Sequence, residues 1–206
     1  PQFCSFDVVH KGEVVDRLNS TLFGRYNLEN VLAVYVLAKE LGLDLAKVKT
    51  AIASFKGVKR RQEIIGQPRN ITVIEDFAHH PTAVRLTLEG IRERYSNQRI
   101  FAVFEPRSAT SRRRVFQKAY GDAFAVADES LLSEAYNVQA LDEADRFSTD
   151  ELVADLQKRG QSARTFHAVD QIVDALVKEA KSGDVIVLMS NGSFGGIYQK
   201  LLARLA

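Results

Sequence analysis

From Gly66 onward, short unbroken apolar runs alternate with amphipathic stretches of helical period, and no other feature restricts the fold of this chain as strongly. The runs Ile71–Asp76, Ile100–Glu105, Phe124–Leu132, Ala163–Phe166 and Val185–Met189 are expected strands, with helices near 82–95, 111–122, 149–159, 169–181 and 195–205. Thr149 ahead of Leu152, Val153 and Leu156, with Gly160 behind, marks one of these helices at both ends. Strands apolar throughout are buried on both faces, and repetition of strand, helix, strand gives an α/β fold with a mostly parallel sheet and helices on both sides. Such sheets bind ligands beyond the carboxyl ends of their strands. The segments after Ile74, Phe104 and Met189 are therefore where chemistry is expected.

The first third of the chain follows another pattern. Phe3–Val9, the turn His10-Lys11-Gly12 and the return over Glu13–Arg17 predict a hairpin. Leu28, Val31, Leu32, Tyr35, Ala38 and Leu41 recur at helical spacing until Gly42, and Asp44 can cap a second helix carrying Leu45, Val48 and Ile52. Neither the hairpin nor the helix pair can cover both its own faces, so this region reads as the tail of a domain. The chain opens at Pro1 rather than at an initiator methionine, which is expected of something trimmed or cut from a longer protein.

Charge excludes little by itself: 28 basic against 26 acidic side chains leave a formal net charge of +2, so anion binding must come from local clusters and nucleic-acid binding is not implied. No run approaches the roughly 20 apolar residues of a membrane span, and the polar opening Pro1–Arg17 is not a signal peptide, which predicts a cytoplasmic protein without a membrane partner. The single cysteine, Cys4, excludes an internal disulfide and a cysteine zinc cage, and its apolar setting predicts a buried, inert thiol.

Each expected strand end carries polar, turn-forming residues. In Glu75-Asp76-Phe77-Ala78-His79-His80-Pro81, Asp76 can accept from a ribose or an amine and a histidine can touch phosphate or substrate; equally, these residues can cap the helix starting near Thr82. Adjacent histidines in a turn rarely converge on one ion, and no further nitrogen or sulfur ligand is evident, so no metal site is expected. Ser190–Gly196 has the composition of an anion nest, against the competing reading that its glycines serve tight strand-to-helix packing. Neither G-x-x-x-x-G-K-[ST] nor G-x-G-x-x-G occurs. Of the basic clusters Lys56, Lys59, Arg60, Arg61 and Arg107, Arg112, Arg113, Arg114, the run 112–114 reads mainly as a solvated helix face, whereas Arg61 and Arg107 lie in loops suited to phosphate or carboxylate.

In order along the chain, Gly24-Arg25-Tyr26-Asn27-Leu28-Glu29-Asn30, Phe55-Lys56-Gly57-Val58-Lys59-Arg60-Arg61 and Asp76-Phe77-Ala78-His79-His80-Pro81 resemble motifs of the Mur ligases, ATP-dependent amide-forming enzymes of peptidoglycan synthesis. Within that family, Glu105-Pro106-Arg107-Ser108 and Met189–Ile197 resemble the branch that joins UDP-N-acetylmuramate to the murein tripeptide L-alanyl-γ-D-glutamyl-meso-diaminopimelate in recycling. Tyr26 stands where the family motif has histidine. The resemblance implies that residues 1–62 are the end of a central ATP-binding domain and 63–206 a complete Rossmann-like C-terminal domain. It implies ATP contacts at Asn27 and Asn30 (adenine), Arg61 (phosphates) and Asp76 (ribose). His79, His80, Arg107, Ser190, Asn191 and Phe194 would line the peptide pocket. Mg2+ is implied with ligands mostly in the missing part of the central domain, no catalytic residue falls within the chain, and the chain alone is expected to be inactive. Two other readings stay open: a stand-alone α/β module for a small anionic metabolite, and a domain similar to folylpolyglutamate synthetase.

Overall fold

The computed structural model describes residues 3–206; Pro1 and Gln2, the start of the polar opening segment, lie outside the described residues. The chain divides into two compact units, Pro1–Val58 and Lys59–Ala206. The division thus falls after Val58 rather than after residue 62. The reason is local: Phe77 N donates to Arg60 O and Gln62 N to Asp76 Oδ2, tying these residues to the second unit.

In the first unit, β1 (Cys4–His10) and β2 (Glu13–Ser20) form an antiparallel hairpin closed by Lys11 and Gly12, both left-handed (φ 52° and 86°), as a tight two-residue turn requires. Cys4 is half-buried in β1 rather than buried. Two helices follow, α1 (Arg25–Glu40) and α2 (Leu45–Ser54), the latter capped by Asp44 Oδ1 accepting from Ala46 N at 3.0 Å. A small core gathers Val8, Leu18, Val31, Tyr35 and Ile52. Asp16 holds hairpin and helices together, its two carboxylate oxygens accepting from Tyr35 Oη at 2.7 Å and Lys49 Nζ at 2.5 Å. Leu32 and Leu41, which the helical period assigns to the core, are exposed, as are Val34 and Leu37, so α1 keeps an uncovered apolar face.

The second unit is built on six strands: β3 (Glu63–Gly66), β4 (Thr72–Asp76), β5 (Ile100–Phe104), β6 (Glu129–Ser133), β7 (Ser162–Phe166) and β8 (Val185–Met189), in the order β3-β4-β8-β5-β6-β7. All pairings are parallel except that of β3 with β4. Connections from β4 to β5 to β6 to β7 advance in one direction, and right-handed crossovers put α3 (Pro81–Arg94), α4 (Gln117–Ala123) and α5 (Thr149–Lys158) on one face. The step from β7 to β8 runs backward, so α6 (Val169–Glu179) lies on the other face, joined there by α7 (Ile197–Leu205). Strand residues sort between the two cores with period two: Val185, Val187 and Met189 face α3–α5, whereas Ile186 and Leu188 face α6 and α7.

Local departures have physical causes. Phe124, read as the start of a strand, is the fully buried cap of α4 and packs on Phe104 at 5.7 Å between ring centroids; Ala127 N then closes a turn on Phe124 O before β6 begins at Glu129. The helix expected over 111–122 is confined to α4 with a single turn before it, because Arg112 O accepts from Phe147 N and Arg113 bridges to Arg146. Arg113 and Arg114 pair with Asp145 and Glu151, so this run binds the 134–151 segment instead of forming a solvated helix face. Ser148, not Thr149, caps α5, accepting from Glu151 N at 3.1 Å. β3 escapes the sequence pattern because only four residues form it and they lie at the sheet edge. Among the described residues no helix is long and apolar enough to cross a membrane.

Phe194, expected from the resemblance to line the peptide pocket, has a core position in this structure. Its ring is fully buried in the α6/α7 core beside Phe101, Ile172 and Ile197, with φ at 45°. Phe194→Ala is expected to cost about 3–5 kcal/mol of stability, measured by denaturant unfolding. Hydrogen bonds from Lys49 and Tyr35 hold the Asp16 carboxyl down to about 2. A depressed carboxyl stabilises the fold above its unfolded value of roughly 3.9 and loses that contribution as pH falls towards the folded value. Unfolding measured between about pH 5 and pH 2 should therefore show an acid-side slope that Asp16→Asn flattens.

Candidate functional site

The backward step that inserts β8 between β4 and β5 brings three strand ends side by side. Asp76 is in register with Met189, and Met189 with Phe104. Beyond the strands the loops remain stitched: Ser190 N donates to Asp76 O at 3.2 Å and Glu105 N to Met189 O at 3.1 Å. Asp76, Arg107 and Ser190 thus share one rim of the sheet, at the point where strand order reverses.

Beneath the rim lie carboxylates. Asp76 is fully buried; Gln62 N donates to its Oδ2 at 2.8 Å, and Ala78 N and Thr87 Oγ1 to its Oδ1 at 2.7 and 3.3 Å. Burial pushes its carboxyl up, opposed by the Gln62 and Ala78 bonds and by the charge of Arg61. An oxygen so enclosed shapes the loop, its donors in this structure being protein groups. Glu105 is likewise buried, accepting from Ser190 Oγ at 2.6 Å on one oxygen while Arg107 Nη1 lies 3.4 Å from the other. Ser190 is also buried, so it positions the loop, its Oγ accepting from Gly192 N at 2.9 Å.

Above the rim are guanidinium groups held on aromatic rings. Arg107 lies 3.9 Å from the Tyr136 ring centroid, and Arg61 lies 5.2 Å from that of Phe77 with its side chain exposed. A Cβ on Gly192 would fall 2.2 Å from Arg107 Cδ, so glycine is required for the arginine to cross the loop. Gly195 has φ 56° and backs onto Val169, where a Cβ would meet Cγ2 at 2.8 Å. At these two positions the glycines serve close packing rather than an anion nest. Asn191, half-buried, has an Oδ1 shielded from solvent with no hydrogen-bond partner.

The histidines support the first loop. His80 Nδ1 accepts from Thr82 N at 3.3 Å as the cap of α3, its ring edge-on to Phe116. His79 is half-buried against Phe77, and its carbonyl accepts from Tyr120 Oη. In the first unit, Asn27 and Asn30 lie three residues apart on α1. Asn27 Nδ2 donates to Phe23 O at 2.8 Å, while Asn30 borders an apolar groove of about 310 Å³ walled by Leu22, Val31, Ile52 and Phe55. Among the described residues no group of three His, Cys, Asp or Glu side chains could hold a metal ion.

Three contributors have no site role in the sequence reading: Arg60, Glu105 and Tyr136. Glu105 closes an apolar run at a strand end, a visible signal. Tyr136 follows the end of β6, and the strand-end rule finds it only once β6 is known to neighbour β5. Arg60 is indistinguishable from the cations around it until its partners are known.

A family model described as "Mur ligase, glutamate ligase domain" matches residues 60–192. Over 204 residues the chain is 35% identical to UDP-N-acetylmuramate–L-alanyl-gamma-D-glutamyl-meso-2,6-diaminoheptandioate ligase of Escherichia coli, covering 98% of this chain and 42% of that protein. It is 30% identical over 195 residues to UDP-N-acetylmuramate–L-alanine ligase of Desulfitobacterium hafniense, covering 95% of this chain and 43% of the other. Among solved structures, a murein peptide ligase of Psychrobacter arcticus superposes with a TM-score of 0.68 at 33% identity, over 92% of this chain and 39% of that one. The UDP-N-acetylmuramate–alanine ligase of Thermotoga maritima gives 0.83 at 25% identity, over 98% and 43%. The chain spans about two fifths of the length of the curated relatives it matches. With the matched region running from Arg60 through the strand-end loops to Gly192, the chain belongs to the Mur ligase family.

Proposed function

We propose that this chain is the C-terminal part of a cytoplasmic, ATP-dependent ligase that joins UDP-N-acetylmuramate to L-alanyl-γ-D-glutamyl-meso-diaminopimelate in peptidoglycan recycling, and that its second unit receives the tripeptide. The observation that carries this reading is the rim, where the Arg107 guanidinium lies 3.9 Å from the Tyr136 ring centroid. A peptide bearing several carboxylates suits that arrangement, because a planar guanidinium grips a carboxylate through parallel N–H bonds. Identity of 35% to the tripeptide ligase against 30% to the L-alanine ligase supports the larger substrate.

In this reading the γ-phosphoryl group of ATP passes to the muramate carboxylate, the peptide amine attacks the carbonyl carbon of that acyl phosphate, and inorganic phosphate leaves as the amide forms and the nitrogen gives up a proton. The chain contributes binding and orientation. The groove beside Asn30 has room for a flat base, and its apolar walls suit adenine. Arg61, exposed on Phe77, supplies positive charge for phosphate oxygens. His79, His80 and Asp76 shape the loop that carries Phe77. No sequence here forms a phosphate-gripping P-loop, and magnesium ligands are assigned to the remainder of the enzyme, where Mg2+ would neutralise phosphate charge. The uncovered apolar face of α1 fits a unit completed by further chain.

ATP turnover by the 206-residue chain alone should not exceed a buffer control. In the full-length ligase, Arg107→Ala is expected to raise the tripeptide KM about 10- to 100-fold, the value of a lost charge-assisted bond. Gly192→Ala should reproduce much of that rise without removing the charge, because its Cβ displaces Arg107 from Tyr136. Unchanged tripeptide KM in both variants would refute the carboxylate-binding role.

A further inference from the structure

Arg60 sits among cations that read alike in the sequence, yet its guanidinium is committed where Arg61 is exposed. Its Nε donates to Glu75 Oε1 at 2.7 Å, and its Nη2 donates to the carbonyls of Ser190 at 3.0 Å and Gly192 at 2.7 Å. Its backbone is held as firmly. Arg60 N donates to Glu63 Oε2 at 2.7 Å, Arg60 O accepts from Phe77 N at 2.8 Å, and both Arg60 and Gln62 are left-handed, with φ of 60° and 48°. That turn lets Gln62 N reach Asp76 while the side chain of Arg60 extends to the loop after β8.

We propose that Arg60 is the positioning residue of the rim, the group through which the segment entering the second unit sets both Arg61 and Arg107. This rests on the function proposed above only for its kinetic consequence. One branch runs through Gly192. Arg60 fixes that residue's carbonyl, Gly192 supports Arg107 Cδ, and Arg107 therefore lies on Tyr136. The other runs through Phe77, whose ring lies 4.9 Å from the Arg60 guanidinium and 5.2 Å from that of Arg61. Arginine is required because its planar fork serves one carboxylate and two carbonyls at once; a lysine ammonium keeps the charge but not that geometry. Without the fork, two loop carbonyls lose their charged donor and the loop no longer holds Gly192 under Arg107.

Two measurements test this. On the 206-residue chain, NMR should show the Arg107 Cδ protons shifted by the ring current of Tyr136. Arg60→Lys should abolish that shift to the same extent as Tyr136→Ala, with the remainder of the spectrum of the second unit preserved. Retention of the shift in Arg60→Lys, or its loss only with general unfolding, overturns the proposal whatever the ligase activity. In the full-length ligase, Arg60→Lys should raise the tripeptide KM about tenfold, leave that for UDP-N-acetylmuramate unchanged, and add little to Arg107→Ala, since both act through one side chain. Effects that multiply, or KM values that rise together, also overturn it. A wild-type enzyme that forms no amide would instead refute the ligase reading and leave the NMR result to decide the role of Arg60.

Discussion

Everything at the rim depends on β8 pairing between β4 and β5. Its last carbonyl, on Met189, accepts from Glu105 N, and the next amide, on Ser190, donates to Asp76 O, so a single peptide unit joins three loops that are far apart in sequence. The step from β7 back to this position reverses the direction of the sheet, and the right-handed crossover then puts α6 on the opposite face. Val185–Met189 is fully buried in the middle of the sheet, sealed by both cores. The rim is thus a consequence of sheet order, and the segments forming it are irregular only where the strands have ended.

Charge is layered at this edge. Glu75, Asp76 and Glu105 lie below, half-buried or buried; Arg61 and Arg107 lie above, supported on Phe77 and Tyr136. A buried carboxylate is costly unless donors reach it, and here each has them: Arg60 for Glu75, backbone amides for Asp76, Ser190 and Arg107 for Glu105. The acids therefore act as anchors that fix loops and orient cations. Two residues drawn as ligand contacts from the sequence, Asp76 and Ser190, belong to this anchoring layer, and Phe194 belongs to the core.

What was legible follows physical range. Patterns of period two and 3.6 are local, so β4, β5, β7, β8, α3, α5 and α6 stand close to their expected bounds. β3 is short and at an edge, and the apolar run at Phe124 is helix end rather than strand, since burial alone does not distinguish the two. Strand-end logic points to the loops of Arg107 and Asn191 because the rule concerns where strands stop. It could not separate exposed from buried polar residues, nor Arg60 from Arg61, because those differences arise from partners up to 132 residues away in the chain. Tyr136 was hidden for the same reason.

The central claim is that the ends of β4, β8 and β5 form one receptor for a carboxylate-bearing peptide. Titration of the isotope-labelled chain with millimolar tripeptide, followed residue by residue by NMR, tests it most directly. Saturable shifts should appear together at Phe77–His79, Arg107, Tyr136 and Asn191, with the opposite rim around Gln98 and Gly183 unmoved. Absence of saturable change at the rim, or change confined to the open edge of β7, would contradict the account.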